Sequence, residues 1–162
     1  MSLEKTTKNA YHESVTGIRK GDTPTELEEI RQYICTSKKI VVPNRTGEKI
    51  TAINRVLCEF GLARAKHLHI DTDSCDVSRM PALTKARMAL DVTDCDLVIA
   101  RGRLGIPGSG SMLVIMDAKG RILSAALSPS HVVHGKPVTE SVRNEMRTAL
   151  ERIGMEPQVK TP

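Results

Sequence analysis

The 162-residue sequence predicts an α/β fold, a single domain in which a mixed β-sheet is flanked by helices. Three observations carry that expectation. Short β-branched runs alternate with stretches of helical apolar spacing between residues 23 and 100. Two apolar runs then flank the turn Asp117-Ala118-Lys119-Gly120, a hairpin signal whose glycine supplies a positive φ. A last stretch, Thr139 to Ile153, returns to helical spacing, with Val142, Met146, Ala149, Leu150 and Ile153 on one face.

Taken in order, residues 1–22 are polar and weakly patterned, ending in Gly21-Asp22. They predict an arm or short helix of the kind that can be exchanged with a partner subunit. The domain proper is expected over 23–154, with a loose tail over 155–162. Thr23-Pro24 opens a helix whose stripe is Leu27, Ile30 and Ile34, and which should end near Thr36-Ser37. Lys39 to Val42 reads as a strand stopped by Pro43. Thr46 to Phe60 reads as a helix carrying Ile50, Ile53, Leu57 and Phe60, closed by Gly61. His67 to Ile70 is a second strand, Pro81 to Val92 a helix with Leu83, Ala86 and Leu90 on one side, and Leu97 to Ala100 a fully buried strand. Met112 to Met116 and Ile122 to Leu127 form the hairpin, and Gly154 ends the final helix.

Composition narrows the function classes. There is no Trp, one Phe and two Tyr, which argues against a base-stacking surface for single-stranded nucleic acid. The net charge of +5 suits an anionic ligand, although nucleic acid or a merely solvated basic surface would satisfy it too. The four cysteines form no C-x-x-C pair, so neither a zinc site nor a disulfide framework is expected. Cys35 and Cys58 fall in helical patterns and read as small core residues. No signal peptide is visible and no apolar run approaches the ~20 residues of a membrane helix, so a soluble, cytoplasmic protein is expected.

Ligands of α/β sheets collect at the carboxyl ends of strands, which singles out three loops. In Pro43-Asn44-Arg45-Thr46-Gly47-Glu48-Lys49, a helix start beside Arg45, Thr46 and Lys49 would suit a phosphate. The plainer alternative is that Thr46 caps the helix and the charges are solvated. Asp71 and Asp73, two apart in a loop, can share Mg²⁺ with substrate phosphates, though Asp- and Ser-rich segments are also ordinary turns. The third loop, RGRLGIPGSGS over 101–111, is the sharpest. Gly105, Gly108 and Gly110 let backbone N–H groups approach an anion, Ser109 and Ser111 add hydroxyls, and Arg101 and Arg103 can clamp phosphate in bidentate fashion. A fourth segment, Leu127 to Lys136, brings Ser128, Ser130, His131 and His134, able to hydrogen-bond a ring or move a proton.

Two resemblances follow from these motifs. KKIVVPNRTGEK, PALTKARMAL, GIPGSGS and PSH in that order resemble the inosine triphosphate pyrophosphatase-like fold. The resemblance places Asn44 and Lys49 in its phosphate loop, Gly105 to Gly108 in its Gly-Pro-Gly segment, and Ser130-His131 in its base-contacting motif. Where that family keeps an acidic Asp-Ser-Gly stretch, this chain has Ala100-Arg101-Gly102-Arg103, which casts doubt on hydrolysis by the family's route. The run IARGRLGIPGSGSMLVIMDAKGRILSAALSPSHVVHGK, residues 99–136, is similar to the central signature of a small archaeal family. That family contains the guanylyltransferase of iron-guanylylpyridinol cofactor biosynthesis, whose product serves the iron hydrogenase of methanogens. The resemblance implies a homodimer that joins the guanylyl group of GTP to a pyridinol hydroxyl and releases pyrophosphate, with Mg²⁺ accompanying the GTP. Arg101, Arg103 and the glycine-loop amides would hold phosphate, Lys49 and Arg45 would form a second bank, and His131 or His134 would assist proton transfer. A nucleoside triphosphate pyrophosphatase and a non-catalytic nucleotide-binding module are the alternatives.

Overall fold

Strand alternation decides which helices cover which side of the sheet. In a computed structural model that describes residues 3–158, the elements run α1 (Leu3–Val15), α2 (Pro24–Thr36), β1 (Ile40–Asn44), α3 (Ile50–Glu59), β2 (Ala65–His69), a 3-10 turn (Asp73–Val77), α4 (Pro81–Val92), β3 (Leu97–Arg103), β4 (Ser111–Asp117), β5 (Ile122–Ser128), the one-turn α5 (His131–His134) and α6 (Val138–Glu151). The sheet order is β2-β1-β3-β4-β5, with β1 parallel to β2 and β3, and β4 antiparallel to both its neighbours. The mixed α/β architecture is therefore as expected. Ile40, Val42, Leu97, Ile99, Leu113 and Ile115 point to the side covered by α2, α3 and α6. Val41, Val98, Ala100, Val114 and Met116 point to the other, covered by α4 through Ala82, Ala86 and Ala89.

Those alanines let α4 lie close to the sheet, and Gly102 makes the closest point. A Cβ at Gly102 would stand 2.9 Å from the backbone N of Ala82 and 3.1 Å from its Cα. The first turn of α4 thus rests on bare backbone of β3. One residue earlier, alternation turns Arg101 to the opposite side, toward α6.

The β1–β2 ladder runs from Ile40↔Ala65 to Asn44↔His69, but the β1–β3 ladder stops at Val41↔Val98. Pro43 follows within β1, buried and with no N–H to donate. The crossovers through α3 and α4 lie on opposite sides of the sheet, so the strand order reverses between β1 and β3. That reversal leaves a crevice at their carboxyl ends, the usual place for a ligand in an open α/β sheet.

Several boundaries differ from the sequence reading for identifiable reasons. Pro43 does not stop β1, because it sits where no ladder to β3 needs its missing donor. The helix expected from Thr46 begins at Ile50, with Lys49 at its N-cap and no side-chain capping bond. Strand β3 continues to Arg103, so both arginines stand in the sheet and the loop proper is 104–110, joining antiparallel strands. Residues 3–15 form a helix with no buried residue; it packs on α2 and is tied to the hairpin by Glu4, 2.8 Å from Arg121 and 2.7 Å from Lys119. Met155 is buried in the core and the N–H of Gln158 bonds the Glu59 carbonyl at 2.8 Å, so the tail is docked as far as 158; residues 159–162 lie outside the described part. Cys35 and Cys58 are exposed rather than core residues, since each falls on the outward side of its helix; all four thiols are free.

Gly102→Ala is expected to destabilise the fold by about 2 kcal/mol, because neither the strand nor the first turn of α4 can move aside cheaply. Urea denaturation of the variant against the parent chain measures this.

Candidate active site

The residues nearest to chemistry gather at the end of the sheet where β3 finishes, β4 begins and β5 finishes. There a cavity of about 240 Å³ is lined by Arg101, Gly108, Gly110, Ser111, Pro129, Ser130, His131, His134, Lys136, Val138 and Ser141. Its floor is a charged network. Arg101 Nε donates to Glu145 Oε1 at 2.6 Å, and Arg101 Nη2 donates to Ser111 Oγ at 2.9 Å. Ser111 Oγ in turn donates to Glu145 Oε2 at 2.6 Å. The Glu145 side chain, on α6, is fully buried, and that of Arg101 is 14% exposed.

The glycine-rich loop is held mostly by its own bonds. The N–H of Leu104 bonds the Gly110 carbonyl, Gly105 N–H donates to Ser109 Oγ at 2.9 Å, and Ser109 N–H bonds the Ile106 carbonyl. Gly110 has φ +90°, and a Cβ there would stand 2.2 Å from the Ser128 carbonyl oxygen. Gly110 therefore lets the loop base press against the end of β5, which aligns Ser111 with the cavity.

The two histidines differ. His131 is exposed, whereas His134 is partly buried with Nδ1 accepting the Lys136 N–H at 2.8 Å. That bond leaves Nε2 of neutral His134 as its donor nitrogen, directed to Ser141 Oγ at 3.5 Å. In the segment 127–136, Ser130 Oγ accepts the Val132 N–H and caps α5.

Beside the cavity, in the crevice between β1 and β3, lies a cluster of cations. Lys85, buried on α4, donates from Nζ to the Arg101 carbonyl at 3.3 Å and lies 3.4 Å from Asp76. Lys49 loses proton affinity relative to an ordinary lysine, first through burial and then through the charges of Arg101 and Lys85. Two lysines and an arginine thus face two carboxylates, Asp76 and Glu145, and the balance is positive.

Of the residues singled out by sequence, the cavity gathers Arg101, Gly108, Gly110, Ser111, Ser130, His131 and His134. Lys49 joins through the adjacent crevice. Arg103 does not share the Arg101 environment: its Nε donates to the Gly105 carbonyl and its Nη2 to the Asp76 carbonyl. Gly105 and Ser109 close the loop upon themselves, and Ser128 stands at the end of β5 under Gly110. Asn44 Oδ1 accepts the Arg45 N–H, Thr46 is exposed, and Arg45 reaches across to pair with Asp73. Asp71 Oδ1 accepts the Asp73 N–H, which is turn chemistry. Among the described residues, no three His, Cys, Asp or Glu side chains converge as a metal-binding group.

Sequence reasoning missed Glu145 and Lys85. Each left a readable trace, a charge within an apolar stripe: Glu145 between Val142 and Ala149, and Lys85 between Ala82 and Ala89. It also passed over Lys136 and Ser141, which face the cavity only because α5 and the start of α6 fold back upon it.

An α/β chain with a cavity and a buried cation cluster at the carboxyl ends of its strands has its site where open α/β sheets hold ligands, and the positive balance there suits an anionic one. The family model of the FeGP cofactor biosynthesis protein HcgB, a guanylyltransferase, matches residues 3–155. This chain belongs to that family, and the activity of the family is that of a nucleotidyltransferase.

The lowered proton affinity of Lys49 has a consequence for stability. In the folded chain Lys49 holds its proton less tightly than in the unfolded chain, so its charge opposes folding at neutral pH. That penalty fades as pH rises through the lowered folded value toward the ordinary lysine value of about 10.4. Lys49→Met is expected to be more stable than the parent at pH 7, with the gap closing near pH 10.5. Urea denaturation of both proteins at the two pH values measures it.

Proposed function

We propose that this chain transfers the guanylyl group of GTP to the hydroxyl of a pyridinol and releases pyrophosphate. The cation cluster of Lys49, Lys85 and Arg101 beside a polar cavity is the observation that carries the reading. A triphosphate needs such a cluster, and charge that develops on the departing pyrophosphate is stabilised by fixed cations in a partly dry site. The pyridinol oxygen attacks the α-phosphorus, the bond from that phosphorus to the bridging oxygen of the leaving pyrophosphate breaks, and the hydroxyl proton passes to solvent or a neighbouring base. A pyridinol is acidic enough that this proton needs only modest assistance. His131 is the exposed histidine at the cavity mouth for that task, since Nδ1 of His134 is engaged by Lys136.

Magnesium enters this reading with the substrate, as the complex with GTP. Such a complex asks the protein for one or two carboxylates at most. Asp71 and Asp73 are the pair proposed for it, with the Arg45 partner of Asp73 exchanged for phosphate when the nucleotide arrives.

The reading includes a cytoplasmic homodimer. Its support is the apolar surface around β5, an edge strand, where Ile122, Leu127, Val132 and Val133 are exposed by 53%, 59%, 82% and 77%. Leu127→Asp is expected to shift the protein to monomer, read by light scattering after size exclusion.

The decisive experiment is mass spectrometry of products from GTP, Mg²⁺ and a series of pyridinols. A guanylyl-pyridinol adduct with stoichiometric pyrophosphate is expected, and kcat/KM should fall on the order of 100-fold in Lys85→Met. Absence of adduct with every pyridinol, or release of GMP without an acceptor, overturns the reading.

A further inference from the structure

The floor of the cavity contains a proton whose position is fixed by elimination. An arginine can only donate hydrogen bonds, and an ionised carboxylate can only accept them. Ser111 Oγ lies 2.9 Å from Arg101 Nη2 and 2.6 Å from Glu145 Oε2. It must therefore accept from Arg101 and donate to Glu145. A serine hydroxyl has one proton and two lone pairs, so a single lone pair remains, and Ser111 lines the cavity.

We infer that Glu145 is a positioning residue that makes Ser111 a pure acceptor, so that the cavity selects a ligand edge bearing an N–H or O–H donor. The inference rests on the guanylyl-transfer reading for the identity of that edge: guanine brings N1–H and an amino group, and a pyridinol brings its hydroxyl. It adds a residue and a polarity that the reading does not contain.

Burial strengthens the argument. Glu145 is one of the largest fully buried side chains, set among Val142, Met146 and Ala149 in the α6 layer. Replacement of a buried ion pair by apolar residues is often neutral or stabilising, so the pair is poorly explained as a stability device. Both oxygens of Glu145 are spent on Arg101 and Ser111, the two side chains that β3 and β4 deliver to the cavity. Arg101 itself is fixed by Glu145 and cannot swing to follow a ligand. The network holds a donor (the rest of the guanidinium) and an acceptor (Ser111) side by side, which is the complement of a ring edge with an acceptor next to a donor.

The test combines substitutions in the protein with deletions in the ligand. Calorimetry would measure binding of GTP, 1-methyl-GTP and ITP, and of a pyridinol and its O-methyl ether, to the full-length parent chain, Ser111→Ala and Glu145→Gln. In the parent, loss of the donor in one of the two series is expected to weaken binding on the order of tenfold. In Ser111→Ala that loss should vanish, because no acceptor remains to be left unpaired. In Glu145→Gln it should shrink, because a glutamine amide donates to Ser111 and frees the hydroxyl proton toward the cavity. Coupling in the nucleobase series places guanine on the floor, and coupling in the other series places the pyridinol there; both support the inference. Equal donor dependence in the parent and in folded Ser111→Ala overturns it, as does a parent chain indifferent to both deletions. Ser111→Ala removes a single oxygen at the cavity wall, so the test stands even where Glu145→Gln fails to fold. Adduct formation by the parent is scored separately: its absence with the coupling intact sinks the transfer reading alone.

Discussion

A guanidinium and a carboxylate that meet where the apolar core runs out organise the rest of the site. Strand β3 buries Leu97 and Ile99 on the α6 side, and the same alternation brings Arg101 to that side one step later. Helix α6 meets it with Glu145, at the position where its apolar stripe would otherwise continue. Neither charge could be buried without the other. Their meeting anchors Ser111 across the β3–β4 hairpin, fixes the exposed edge of Arg101, and leaves Lys85 to cap the Arg101 carbonyl from the other side of the sheet. The polar floor of the site is thus assembled by two helices on opposite sides of the sheet, α6 through Glu145 and α4 through Lys85.

The crevice and the cavity meet at Arg101. The crevice between β1 and β3 exists because the ladder ends before Pro43, and it collects positive charge from three elements: Lys49 before α3, Lys85 on α4, and Arg101 on β3. The cavity beside it is lined by Arg101 and Lys136 together with hydroxyls, two imidazoles and glycine backbone.

Most of the fold was legible from periodicity. Seven helical or strand stretches, the Asp117–Gly120 hairpin and the mixed sheet follow from spacing of Ile, Val, Leu and Ala, because burial on one or both faces leaves that mark directly in sequence. Boundaries were less legible where side-chain chemistry misled: Thr46 resembles a cap but plays none, and Pro43 resembles a stop but sits beside a ladder that has already ended. In the site, the segment 101–111 and the Ser130-His131 pair were visible as loops rich in donors. What no local pattern revealed was pairing at a distance. Arg101 looks free in sequence, and only the fold shows that a residue 44 positions later neutralises part of it.

The glycine loop carries one further implication. Its base is stapled by the Leu104–Gly110 and Gly105–Ser109 bonds and pinned against Ser128, while its tip, Ile106 to Gly108, stands exposed. The staple insulates Ser111 from whatever happens at the tip. Ile106 and Pro107 can therefore be exchanged without disturbing the hydroxyl on the cavity floor, whereas Gly108, at φ +95°, is held to glycine. The loop separates the part that can drift, Ile106 and Pro107, from the part that cannot.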